Sequence, residues 1–360
     1  MHPLIATDSF KGSATAAQAA AAIADGWRSV RPTDTVVTVP LADGGEGSAA
    51  AIAAGTPGSR EVACPATGPD GRRVDAGWLL LPDGTAVVEL AAASGLPQMR
   101  EKDALGAQTT GFGQLLAAAA AHPSVTKIVA TVGGSAATDG ASGALGALGA
   151  RFLDHTDSEL PPGGGSLENL ASVDVSALIR PPTCGVEVLI DVTAPLLGPR
   201  GAAAVFGPQK GASAADIAAL DDALRQFASV IGGNPDQPGA GAAGGAAFGL
   251  ATLWGAVLVR GAQRIGATVG LPAALRVADL VITGEGSFDD QSTIGKVVGH
   301  LLEQPAAQRV WLVAGQIDGA LPDRIERAVE LTGIAGSSAK AIADTEHWLR
   351  AAGAALAATV

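Results

Sequence analysis

Short apolar runs that stop abruptly at polar, glycine-rich clusters set the pattern of this chain. Leu4-Ile5-Ala6-Thr7 runs into Asp8-Ser9-Phe10-Lys11-Gly12-Ser13, and Val36 to Ala42 runs into Asp43-Gly44-Gly45-Glu46-Gly47-Ser48. Val186-Glu187-Val188-Leu189-Ile190 ends at Asp191, and Leu280-Val281-Ile282-Thr283 ends at Gly284-Glu285-Gly286. Such runs predict strands. Between the first two, residues 14–31 read as a helix with Ile23, Trp27 and Val30 on one side, and Thr15 is placed to help start it. Residues 46–54 read as a second helix that ends at Gly55. Strand and helix therefore alternate from the outset, as in a doubly wound fold.

The pattern changes near residue 60. Short β-rich pieces follow, broken by Gly68-Pro69-Asp70-Gly71 and Pro82-Asp83-Gly84, which are hairpin signals. Helices are predicted at 108–121, 140–150 and 214–231, and strands at 127–132 and 186–191, with Pro/Gly loops at 160–165 and 234–241. From residue 278 the alternation returns: strand 279–283, helix 294–303, strand 309–314, helix 323–331. The expected fold class is α/β with two domains. A Rossmann/flavodoxin-like doubly wound domain takes residues 1–60 and 278–360, and a mixed α/β domain, 61–277, is inserted within it. The active site is expected in the cleft between them.

In open α/β folds, ligands collect outside the carboxyl ends of strands, where backbone amides and helix N-termini are available. Carboxylates and glycines recur there four times in this chain. Lys11 can bind a carboxylate or phosphate as a point charge, and Gly12 lets the backbone approach closely. The three glycines around Asp43 and Glu46 are more than a capped turn needs. Asp191 ends an apolar strand, where an unpaired carboxylate is expensive. Lys210 stands between glycines in Phe206-Gly207-Pro208-Gln209-Lys210-Gly211. Ser135, Thr138 and Asp139 follow the strand at 128–132 in Gly133-Gly134-Ser135-Ala136-Ala137-Thr138-Asp139-Gly140. Each cluster, taken alone, can also be read as a capped turn or a solvated surface charge.

Together these segments resemble a known family. DSFKGS, ADGGEGS, EVLIDVTAPLLGP, AVFGPQKGA and ADLVITGEGSFDDQSTIGK occur in that order, with ELAAASGL at 89–96 and GAAGG at 241–245. The chain is similar, from residue 4 to about 300, to bacterial glycerate kinases of the type that makes 2-phosphoglycerate. The resemblance implies a cytoplasmic enzyme that uses ATP and Mg²⁺ to phosphorylate the 2-hydroxyl of D-glycerate. It implies catalytic roles for Asp8, Lys11 and Asp191, and substrate contacts from Ser9, Asp43, Glu46, Ser135, Asp139 and Lys210. On the nucleotide side it implies Gly284, Glu285, Gly286 and Lys296, with Asp191, Glu285 and Asp289 as metal ligands. Asp191 and Asp8 stay open as alternatives for the proton acceptor. Two positions depart from the family pattern: Ser287 stands where arginine is usual, and Thr138 where asparagine is. Histidine is also frequent near Ile294. A same-fold kinase for another small hydroxy acid is the nearest alternative, and a non-catalytic glycerate or nucleotide sensor is the next.

Composition adds bounds. At 360 residues, two domains are the better expectation. Net charge is 23 − 35 = −12 without a basic run, which disfavours nucleic acid as a partner. Cys64 and Cys184 show no metal-ligand spacing, the five histidines no paired spacing, and the N-terminus no signal peptide, so a reduced cytoplasm is the simple reading. Residues 237–259 carry no charge but six glycines, and read as a Gly-rich loop feeding a buried helix rather than a membrane span. No P-loop, dinucleotide or protein-kinase signature occurs, so ATP use follows from the resemblance alone. Monomer and homodimer both stay open.

Overall fold

The structure is a computed structural model that describes residues 1–293, 295–304 and 308–360. It is a mixed α/β protein. The chain divides into two compact units. The first comprises residues 1–43, 50–57 and 260–360, and the second comprises 44–49 and 58–259.

The first unit is built on five strands in the order Ile325–Glu330, Arg309–Ile317, Leu280–Phe288, Pro3–Thr7, Val37–Thr38, all parallel. Numbered along the chain this is 2-1-3-4-5, the flavodoxin-like order, and its switch point lies between Pro3–Thr7 and Leu280–Phe288. The central strands are apolar on both faces because both are covered. On one face Ile5, Ile282, Trp311 and Val313 pack against Ile23 and Trp27 of the helix Ala16–Val30 and Leu349 of the helix Thr345–Ala357. On the other face Leu4, Val281 and Val310 meet Leu271, Leu275 and Leu301 from the helices Leu271–Val277 and Val297–Glu303. The packing of Leu271 and Leu275 places residues 260–277 in this unit, earlier in the chain than the expected boundary at 278.

The elements mostly follow the apolar pattern. Ala16–Val30 begins at a Thr15 cap closed reciprocally by Gln18. The second strand is short, yet Val39 N–H to Ile5 C=O and Leu41 N–H to Thr7 C=O, both at 2.9 Å, carry its pairing to the strand end. One element differs in kind. The returning alternation predicts a helix over 323–331, but Ile325–Glu330 is an edge strand in parallel register with Arg309–Ile317. The open ladder of that neighbour supplies backbone partners that outweigh a weak local helical pattern. The helix expected at 294–303 begins at Val297, and Ile294 lies outside the described residues.

The second unit holds a six-stranded mixed sheet in the order Val257–Arg260, Val186–Ile190, Lys127–Thr131, Thr85–Glu89, Gly77–Leu80, Arg60–Ala63. Three central strands are parallel, and the last two pair antiparallel, in keeping with the hairpin signals. Its core centres on Phe112, Phe152, Phe227 and Phe248. Residues 237–259 form a turn and the mostly buried helix Ala242–Trp254, irregular where Ala243, Gly244 and Gly245 take positive φ. Among the described residues no helix is long and apolar enough to cross a membrane.

In the first unit, the helices Ala16–Val30 and Thr345–Ala357 touch backbone to backbone. A Cβ added at Gly26 would collide with the Arg350 carbonyl, and one at Gly353 with the Ile23 carbonyl. Gly353→Ala is therefore expected to destabilise the protein by about 1–3 kcal/mol through overpacking, read as a lower denaturant midpoint with unchanged m-value.

Candidate active site

A cavity of about 410 Å³ opens at the carboxyl ends of the first unit's strands. It is lined by Asp8, Ser9, Lys11, Asp43, Glu285, Gly286, Asp289 and Lys296, so eight of the residues expected from sequence share one wall system. The location is the topological switch point, where the strand order reverses and the chain diverges to leave a crevice.

Each charged group is held there by local structure. Asp8 follows the last ladder pair of its strand, and its backbone N–H still reaches the Gly284 carbonyl at 2.9 Å. One carboxylate oxygen of Asp8 accepts the Ser9 N–H at 2.6 Å. The next four residues close a tight turn, with Phe10 and Ala14 exchanging backbone bonds and Gly12 at φ +77°, which leaves Lys11 exposed on the cavity wall. Glu285 sits inside the strand Leu280–Phe288, flanked by Gly284 and Gly286. A Cβ at Gly286 would lie 3.4 Å from the Lys11 backbone nitrogen, and one at Gly315 would strike the Gly286 carbonyl. Ordinary contact at Gly286 would tolerate a side chain, whereas Gly315, and Gly284 against the Val313 carbonyl, are what let the neighbouring strands close around Glu285.

Electrostatics in the cavity are strained. Glu285 is 8% exposed, and its Oε1 has no hydrogen-bond partner among the described residues. Burial pushes its pKa up to about 7, helped by Asp289 and Asp43 and opposed by the Ser292 hydroxyl and Lys296. Asp8 is pushed up to about 8, first by burial and then by the Asp43 carboxylate. The Ser9 amide and Lys11 oppose that rise, and Glu285 adds to it. Asp289 is partly committed elsewhere: its Oδ1 accepts the N–H groups of Gln291 at 2.9 Å and Ser292 at 3.1 Å, capping the 3₁₀ turn Asp290–Thr293. Lys296 takes the N-cap position of Val297–Glu303 and faces the cavity. Among the described residues no three His, Cys, Asp or Glu side chains are grouped as a metal cage.

Gly284 stays in the first unit, next to Glu285 in the strand Leu280–Phe288, and the other five expected residues belong to the second unit. Asp191 follows the strand Val186–Ile190 and is half-buried, and Glu46 is exposed on the glycine loop. Ser135, Asp139 and Lys210, expected to contact substrate, have interior partners instead. Asp139 is fully buried and accepts from the Thr109 N–H and hydroxyl at 2.9 and 2.8 Å and from the N–H groups of Ala141 and Gly143. Lys210 Nζ donates to the Ala137 carbonyl and, at 3.3 Å, to the Thr138 hydroxyl. Burial lowers its pKa to about 8 against the pull of Asp139. The Ser135 hydroxyl bonds within its own turn. These three fasten the turn that follows the strand Lys127–Thr131.

Glu89 braces the glycine loop, a role that the sequence patterns do not give it. Its carboxylate accepts the Gly47 N–H at 2.9 Å and the Ala49 N–H at 3.1 Å, bracing the glycine loop after Asp43. Burial raises its pKa, against those two amides. A carboxylate ending the strand Thr85–Glu89 is the available signal, of the same kind that singles out Asp191. The cavity also takes in Gly315, Leu331, Thr332, Ser338 and Ile342, to which no motif points.

Fold and site together define a doubly wound α/β protein with a polar, acid- and lysine-lined cavity at its switch point. Comparison with known proteins narrows this. The chain matches the Glycerate kinase family over residues 3–360 and belongs to it. It is 43% identical to the glycerate 2-kinase of Escherichia coli over 306 residues, covering 82% of this chain and 80% of that one. It is 44% identical to the glycerate kinase of Bacillus subtilis over 305 residues, covering 82% and 79%. A solved structure from Salmonella typhimurium LT2, provisionally assigned as a glycerate kinase 2, aligns with TM-score 0.84 at 37% identity over 100% of this chain and 98% of that one.

The raised carboxyls have a consequence for stability. A carboxyl whose pKa rises on folding binds its proton more tightly in the folded chain, so stability falls as pH climbs from the ordinary carboxylate range to the raised value. For Asp8 that window ends at about 8. Thermal melts of the free protein and of Asp8→Asn should coincide near pH ~4 and separate as pH rises through ~8, with the variant more stable. Equal melting curves throughout would show that Asp8 is not strained.

Proposed function

We propose that the protein transfers the γ-phosphoryl group of ATP to the 2-hydroxyl of D-glycerate, giving 2-phosphoglycerate and ADP. The observation that carries the reading is the convergence of Asp8, Asp43 and Glu285 with Lys11 and Lys296 in one cavity of a chain that belongs to the glycerate kinase family. In the reaction the substrate hydroxyl oxygen forms a bond to the γ-phosphorus while the bond to the bridging β–γ oxygen breaks, and ADP leaves. The hydroxyl proton passes to a carboxylate.

Phosphoryl transfer needs charge neutralisation, positioning and a proton acceptor more than covalent chemistry. Lys11 and Lys296 supply fixed positive charge for phosphate or carboxylate oxygens. Asp8 is the acceptor in this reading: half-buried beside Lys11 and Ser9, it has the raised pKa of a group poised near neutral pH. Ser9 keeps one of its oxygens oriented, which leaves the other to face the hydroxyl.

The residues present fit a magnesium ion. Glu285 Oε1 is buried without a partner among the described residues, and Asp43 and Asp8 face the same cavity. Magnesium commonly takes one or two protein carboxylates and completes its shell with phosphate oxygens and water, so no three-carboxylate cage is required. Glu285 and Asp43 would hold it, and it would supply neutralisation of the phosphate oxygens. The two cysteines are unpaired, which fits a reducing cytoplasm.

Ser287 lines the same cavity, so one of the two positions at which the chain departs from the family pattern is a cavity position. A different small hydroxy acid is therefore the second reading.

Incubation with D-glycerate, ATP and Mg²⁺, followed by phosphorus NMR, tests the reaction. A 2-phosphoglycerate resonance is expected. A 3-phosphoglycerate resonance would keep the kinase and overturn the regiochemistry, and intact ATP in folded protein would overturn glycerate as substrate. With Asp8 as acceptor, kcat/KM should rise with pH up to about 8, and Asp8→Asn should lower kcat by roughly 10²–10⁴.

A further inference from the structure

The cavity is chemically divided. Its charged lining among the described residues, Asp8, Lys11, Asp43, Glu285, Asp289 and Lys296, comes from segments 8–43 and 285–296. The lining from residues 331–345 has no charged member and makes its uncharged end. It is formed by Leu331, Thr332, Ser338, Ala341, Ile342 and Thr345, from the three helices that follow the strand Ile325–Glu330. Leu331 and Ala341 are buried and make its apolar floor, and Thr345 is buried beside them. Ile342 is 63% exposed, the most exposed large apolar side chain among the described residues. The Thr332 hydroxyl donates to the Gly315 carbonyl at 2.9 Å and lies 3.5 Å from the Ser338 hydroxyl, so two hydroxyls stand together on this wall.

We infer that this uncharged end is the subsite for the base and ribose of the nucleotide, with the phosphates directed to the charged end. The inference rests on the kinase reading above. A three-carbon hydroxy acid is small and polar throughout, and it has no use for an apolar floor. A nucleoside triphosphate matches the division: a flat heteroaromatic base and a hydroxylated sugar at one end, a polyanion at the other. A volume of about 410 Å³ lies within the usual range for small-molecule sites. The base covers Ile342 and rests on Leu331 and Ala341, while the Thr332 and Ser338 hydroxyls meet polar atoms of the sugar or base edge. The orientation follows from the cations: Lys11 and Lys296 stand at the switch point, and no cation lines the far end.

Titration calorimetry on the full chain tests this with two probes, Mg·ADP and inorganic tripolyphosphate. Ile342→Ser should weaken ADP about tenfold, the scale of losing an apolar contact in a pocket. Tripolyphosphate should bind the variant as it binds the parent, and Ile342→Leu should restore ADP. Replacement of this exposed side chain leaves the core intact, and circular dichroism melts check that the variant is folded. Unchanged ADP affinity in Ile342→Ser, or equal weakening of both probes, would overturn the subsite. If the parent phosphorylates glycerate while Ile342→Ser binds ADP normally, the subsite alone is wrong. If the parent binds neither ADP nor tripolyphosphate and leaves ATP intact, the kinase reading falls and the subsite with it.

Discussion

Three carboxylates, Asp8, Asp43 and Glu285, come from three adjacent parallel strands to face one cavity, and their repulsion must be answered by a proton or a cation. Burial makes the demand sharper, since desolvation and like charge both act against ionisation. In the free protein Asp8 and Glu285 meet it by holding protons well above the ordinary carboxylate range. A ligand that brings positive charge, or that accepts pairing with Lys11 and Lys296, relieves the same strain. The site thus stores a preference for a particular kind of visitor, and the glycines at 284 and 315 are the steric condition for the close approach of the strands around Glu285.

The second unit handles its charges in the opposite way. Asp139 is fully buried, yet it accepts four hydrogen bonds, and Lys210 reaches backbone and hydroxyl oxygen in the same interior. A satisfied buried network of this sort fixes a turn. Glu89 works similarly on the glycine loop through two backbone amides. Glu285 differs from both in that its Oε1 has no partner among the described residues.

Much of this is legible in the chain itself because strands that end in carboxylates are conspicuous. Asp8, Asp43 and Glu285 all stand out that way, as does the alternation that defines the doubly wound unit. What escapes the sequence does so for physical reasons. The returning alternation predicts a helix over 323–331, and only the open edge of Arg309–Ile317 decides for a strand. The burial of Asp139 and Lys210 is not legible in the chain, because a polar group in a glycine-rich turn reads the same whether it points outward or inward. The uncharged end of the cavity gathers side chains from three short segments without any motif, so only the fold assembles them.

The central claim is that Asp8 and Glu285 are held protonated at the switch point of the free protein. Carboxyl-carbon NMR of the ligand-free protein, titrated from about pH 3 to 10, addresses it directly. The account predicts that Asp8 titrates at about 8 and Glu285 at about 7. Ordinary titration of both near pH ~4 would contradict it, because the carboxylates would then be neither crowded nor desolvated.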